Sequence, residues 1–123
     1  MSGGIAPAGG VAYKVLTAPQ MAELLAQGSF AGAPVDVAHG FIHLSTEAQL
    51  PGTLAKHFAS QDGLHLAAVD LPALGDAVRW EVSRGGDVFP HIYATLPLTA
   101  VLAHGPLAWA ALGVPALPQL PAA

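Results

Sequence analysis

The 123-residue sequence contains no cysteine, which removes disulfide frameworks, thiolate nucleophiles and thiolate metal sites together. Charge is scarce as well. The basic residues are Lys14, Lys56, Arg79 and Arg84, set against eight acids for a net charge of −4. A protein that grips DNA or RNA through phosphates needs several lysines or arginines on one surface, so no nucleic-acid polymer is expected as a partner. No stretch approaches the ~20 apolar residues of a membrane span, and no basic segment followed by an apolar one marks a signal peptide. A cytoplasmic protein with no membrane partner is therefore expected.

What is present is apolar residues, 53% of the chain and many of them alanine. That suffices for one packed domain without staples. Residues 1–10 are Gly, Ala and Pro without pattern and are expected to be disordered. Residues 11–112 form the expected domain, and residues 113–123 a loose Pro/Ala-rich tail. Val11 to Leu16 reads as a strand. Thr17-Ala18-Pro19-Gln20 then reads as a capping box, followed by Met21, Leu24 and Leu25 at helical spacing and a stop at Gly28. Ser29 to His39 reads as a loop.

The segment Gly40-Phe41-Ile42-His43-Leu44-Ser45-Thr46 is the focus of the chain. Period-two alternation puts Phe41, His43 and Ser45 on one side of a strand and Ile42 and Leu44 on the other, core-facing side. Thr46 and Gln49 repeat the capping-box pattern, with Pro51 in a helix's first turn or at a kink and Leu50, Leu54 and Phe58 as its apolar stripe. Leu64 to Leu71 is a strand, and Pro72 to Ala77 a short turn or helical piece. Val78 to Ser83 alternates, Val78, Trp80 and Val82 against Arg79, Glu81 and Ser83. The turn at Arg84-Gly85-Gly86-Asp87 returns the chain as Val88 to Leu96, where Val88, Ile92 and Ala94 claim the core side and leave His91 and Tyr93 opposite. A last strand runs near Ala100 to Ala103. Two early helices and late hairpin-linked strands predict an α+β fold with a mainly antiparallel sheet.

Three segments thus carry polar faces: His43 with Ser45, Arg79 with Glu81, and His91 with Tyr93. Antiparallel pairing around Gly85-Gly86 brings the last four together, and gathered titratable groups are what a catalytic or ligand site needs. Each residue also has a plain reading. His43 suits a satisfied core histidine, His91 a residue shaped by Pro90, and Arg79–Glu81 a surface ion pair. Trp80 reads as core, and Lys56, His57, His65 and His104 as solvated. For metal, His43, His91, Glu81 and Asp87 have suitable chemistry, but no HxH pair is present, and no metal is assigned. No GxSxG elbow surrounds any serine.

Gly40 to Thr46, Tyr13-Lys14-Val15-Leu16, Trp80-Glu81 and Phe89-Pro90-His91-Ile92-Tyr93 together resemble the small bacterial family catalogued as domain of unknown function 952, from about Tyr13 to Val101. A more distant similarity is to the ADP-ribosyltransferase fold, in particular the NAD-dependent RNA 2′-phosphotransferases, which share the order strand, helix, glycine and a strand ending His-Leu-Ser. That resemblance implies a split sheet holding NAD between its halves, and NAD as a ligand or cofactor. It further implies an enzyme acting on a nucleotide or NAD-like small molecule, with His43 and His91 catalytic. Ser45, Thr46, Arg79, Glu81, Arg84, Tyr93 and Lys14 are the accompanying ligand-binding candidates. The sequence departs from that pattern at Lys14-Val15-Leu16-Thr17, where those enzymes usually supply His-Gly-Thr or an arginine, and at His91, where many carry glutamate. These departures raise the alternative of a non-catalytic binding module of the same fold.

Overall fold

The computed structural model describes residues 10–120, so the expected disorder of residues 1–9 lies outside the described residues. Strand β1 (Val11–Leu16) leads into helix α1 (Ala18–Gln27). Thr17 caps that helix as its sequence predicts: the Gln20 N–H donates to Thr17 Oγ1 at 3.3 Å, and the Thr17 N–H to Gln20 Oε1 at 2.9 Å. Gly28 ends it at φ 75°, a left-handed conformation that costs glycine little. Met21 and Leu24 face the core, but Leu25 is 48% exposed, because the apolar face of this helix is narrower than its leucines suggest. Replacing Thr17 with Ala removes the bond to its hydroxyl oxygen while the backbone N–H bond to Gln20 can remain, and is expected to cost about 1 kcal/mol, readable as a shifted midpoint in urea unfolding.

The segment read as a loop contains two elements, β2 (Ser29–Phe30) and α2 (Pro34–His39). Pro34 opens α2, and Gly40, at φ 86°, closes it. The seven-residue motif that follows is a strand only at β3 (Ile42–His43). The reason lies in its partner. Ile42 pairs with Ile92 and His43 with His91; the Leu44 N–H then donates to the Pro90 carbonyl at 3.1 Å, and Pro90 has no N–H to return. The ladder ends there, and Ser45 crosses over to bridge Tyr13 of β1 through bonds of 2.7 and 2.9 Å. Thr46 and Gln49 exchange their capping bonds just before α3 (Leu50–His57), which has Pro51 in its first turn.

Strand β4 (His65–Asp70) precedes the short helix α4 (Leu71–Leu74). The hairpin of β5 (Val78–Val82) and β6 (Val88–Ile92) turns at Gly85 and Gly86, both at positive φ. Strands β7 (Leu96–Pro97) and β8 (Val101–Pro106) follow. The expected loose tail is structured at its start: β9 (Ala108–Ala111) pairs with β10 (Val114–Ala116).

The result is α+β with antiparallel pairing throughout. One sheet has the order β1-β4-β8, a second β3-β6-β5, and two short pairs, β2-β7 and β9-β10, complete it. Strands β1 and β4 are buried on both faces. Ala12, Leu16, Ala67 and Val69 join the larger core with Ile42 and Ile92; Tyr13, Val15, Leu66 and Ala68 join a second core with Leu50 and Leu54. Trp80 packs at the edge of the larger core, whereas Val82 is 70% exposed, because the hairpin runs past the core at its turn. Ala94, expected inside, is exposed because β6 stops at Ile92.

Candidate functional site

Lys14 occupies the β1 face that also carries Ala12 and Leu16, and it is 6% exposed. An unpaired ammonium there would be costly, and Asp36 from α2 meets it. Lys14 Nζ donates to Asp36 Oδ2 at 2.8 Å and to the His43 carbonyl at 3.1 Å. The Ala33 N–H donates to the same Oδ2 at 2.8 Å. The other oxygen, Oδ1, accepts from the His43 N–H at 3.1 Å and lies 2.6 Å from ring Nδ1 of His43. Asp36 is thus 1% exposed and held by four donors. Burial acts to raise its carboxyl pKa, but the bonds to His43, Lys14 and Ala33 prevail and hold it well below the usual carboxylate range. Burial lowers the Lys14 pKa, and Asp36 opposes that.

An ionised carboxylate only accepts, so Nδ1 of His43 is the donor in this pair and Nε2 faces the other way. There it meets His39 Nδ1 at 2.9 Å. A chain therefore runs from buried Lys14 through Asp36 and His43, whose side chain is 29% exposed, to exposed His39.

A second carboxylate–histidine pair lies across the β3-β6 ladder. His91 Nδ1 is 2.8 Å from Glu81 Oε1, which also accepts from the Tyr93 hydroxyl at 2.7 Å. Arg79 lies over the Tyr93 ring at 4.4 Å. Parity placed His91 away from the core, and it is nonetheless 3% exposed, because Phe41 stacks on it at 4.1 Å between ring centroids. Burial lowers its pKa, opposed by the Glu81 hydrogen bond and reinforced by His43 and His39. Its Nε2 is buried with no hydrogen-bond partner among the described residues. The two imidazoles are 5.3 Å apart, edge to face.

His43 and His91 both line one cavity of about 700 Å³, together with Lys14 and Ser45. Ser45 Oγ lies 2.7 Å from Thr53 Oγ1 on α3. Lys56 and His57, read as solvated, also line it. Glu81 stands behind His91; Arg79 and Tyr93 gather with it outside the cavity wall. Thr46 serves the turn before α3. The Arg84 side chain lies outside the described residues. Sequence reasoning missed Asp36 and His39. Pro34-Val35-Asp36 followed by Gly40 is a short capped helix in outline; a carboxylate within it was the available signal for Asp36, and the four-residue spacing to His43 the signal for His39.

The architecture is an α+β domain with antiparallel sheets meeting over a cavity in which carboxylate-held histidines face one another. The chain belongs to the family described as "Protein of unknown function (DUF952)", whose profile matches residues 15–104. It is similar to the crystal structure of protein CC0527 from Caulobacter crescentus, at 43% identity over 86% of this chain and 93% of that one, with a TM-score of 0.78. The solution NMR structure of CC0527 matches at 44% identity over 85% and 90%, with a TM-score of 0.73. No curated protein matches the chain. Among the described residues no helix is long and apolar enough to cross a membrane.

Proposed function

We propose that this chain is a cytoplasmic enzyme that performs acid–base chemistry on a small molecule held in the cavity, with His43 as the group that moves the proton. The observation that carries this reading is the 2.6 Å contact between His43 Nδ1 and the buried Asp36 carboxylate. It fixes the ring's orientation and tautomer and leaves Nε2 as the working atom, the arrangement that general acid–base catalysis requires. The resemblance to ADP-ribosyltransferases supplies the ligand class: a nucleotide or an NAD-like compound, handled by transferase-type chemistry. His39 then either relays the proton from Nε2 or yields its place to the ligand.

The test is calorimetry with NAD, ADP-ribose and simple nucleotides, followed by mass spectrometry for released nicotinamide or a transferred group. Binding and turnover are expected, with His43→Gln lowering turnover by ~10²–10⁴-fold. No binding of any of these at millimolar concentration to folded protein would sink the proposal. A second reading, a binding module without chemistry, is favoured by one observation: His91 Nε2 is sealed from solvent, so His91 cannot serve as a partner acid or base as it stands. That reading predicts ligand recovered unchanged after long incubation.

A further inference from the structure

The cavity is charged against the trend of the chain. Acids outnumber Lys and Arg eight to four overall, yet the wall carries Lys14 and Lys56 against the single carboxylate of Asp36, with His39, His43 and His57 as further hydrogen-bonding groups. That carboxylate is already engaged at both oxygens, by Lys14 and Ala33 on one and by His43 on the other. Glu47, close enough to help raise the Tyr13 pKa alongside the effect of burial, stays outside the wall. Lys56 has no carboxylate partner among the described residues and is exposed at the rim. Phe58 and Phe89 supply apolar surface on the same wall.

We infer that the cavity takes a small oxyanion, phosphate or carboxylate, carried on a flat apolar body, with Lys56 as its electrostatic anchor. The inference deepens the proposed function, on whose choice of cavity it rests, and replaces the arginines as anion-holding groups, since Arg79 is turned to Tyr93. A point charge at a rim attracts oxyanions without demanding one geometry, as lysine does and a bidentate arginine does not. The aromatic walls favour a planar body by area burial.

The probes are phenyl phosphate, benzoate and benzyl alcohol, titrated by calorimetry at low salt into wild type and Lys56→Gln. At least one anion is expected to bind about tenfold tighter than the alcohol. Lys56→Gln should weaken that anion about fivefold and leave the alcohol unchanged, and raising salt to about 0.5 M should weaken the anion alone by screening. Tighter phenyl phosphate identifies phosphate as the recognised group; tighter benzoate identifies carboxylate. Lys56 is exposed, so the substitution leaves the fold intact. The inference is overturned if the alcohol binds as well as both anions, if none of the three binds, or if Lys56→Gln has no effect on the anions. Anion binding in a protein indifferent to NAD and nucleotides would keep this inference and remove the proposed ligand class. Nucleotide binding insensitive to Lys56→Gln and salt would do the reverse.

Discussion

Asp36→Ala is expected to destabilise the protein by about 3–5 kcal/mol, the range for breaking a buried ion pair from one side. The loss is large because the substitution leaves Lys14 buried without its carboxylate, and strands the Ala33 and His43 N–H groups as well. Removing both charges should be milder. In Lys14→Met/Asp36→Ala the buried ammonium is gone, and residues in direct contact couple non-additively. The double variant should therefore recover part of the stability lost in Asp36→Ala. Urea unfolding of Asp36→Ala, Lys14→Met, the double variant and wild type reads the losses and their coupling. A double variant less stable than Asp36→Ala by the full cost of Lys14→Met alone would show that the pair is not coupled.

The second large effect is on pH dependence and comes from His91. Its folded pKa is lowered, mainly by burial. Below the ordinary histidine value of about 6.5 the unfolded chain therefore takes up a proton that the folded chain resists. Stability from this group is full above that value and falls as pH drops through the folded pKa, with a slope limited to about 1.4 kcal/mol per pH unit for one proton. The groups facing His91 are Glu81 and Arg79 from β5, His43 from β3 and His39 from α2. Glu81 favours the proton, and the two histidines oppose it. His91→Leu removes the titrating group and the unpartnered Nε2 together, while Glu81 keeps the Tyr93 hydroxyl. The variant should match wild type within about 1 kcal/mol at pH 8, since an unmet buried acceptor costs a comparable amount, and exceed it at pH 5. Equal acid slopes in thermal melts of the two proteins between pH 7 and 5 would reject this account.

The sequence made β1, the Thr17 cap, the Gly28 stop and the β5-β6 hairpin legible, because each is written in local chemistry or a clean period. It also placed His43 and His91 on comparable faces. It did not show α2, and the reason is physical. That helix exposes Val35 and Val37 and buries Asp36, so its hydrophobic pattern is inverted and a search for an apolar stripe finds none. The burial of Lys14 was hidden for a related reason. A lysine inside a strand reads as an outward-facing residue until its partner is known, and that partner lies 22 positions away. The β3 motif was read too long because the effect of Pro90 on a neighbouring strand appears only once the register is fixed.

The four donors to Asp36 come from β1, from the entry to α2 and from β3. Helix and hairpin formation alone can satisfy at most the nearest of them, the Ala33 N–H. A collapsed state that keeps its secondary structure but loses fixed side-chain packing would therefore hold helices without holding His43 in place. Ligand occupancy of this cavity would consequently report completed tertiary assembly, and by mass action a bound ligand would stabilise only that final state.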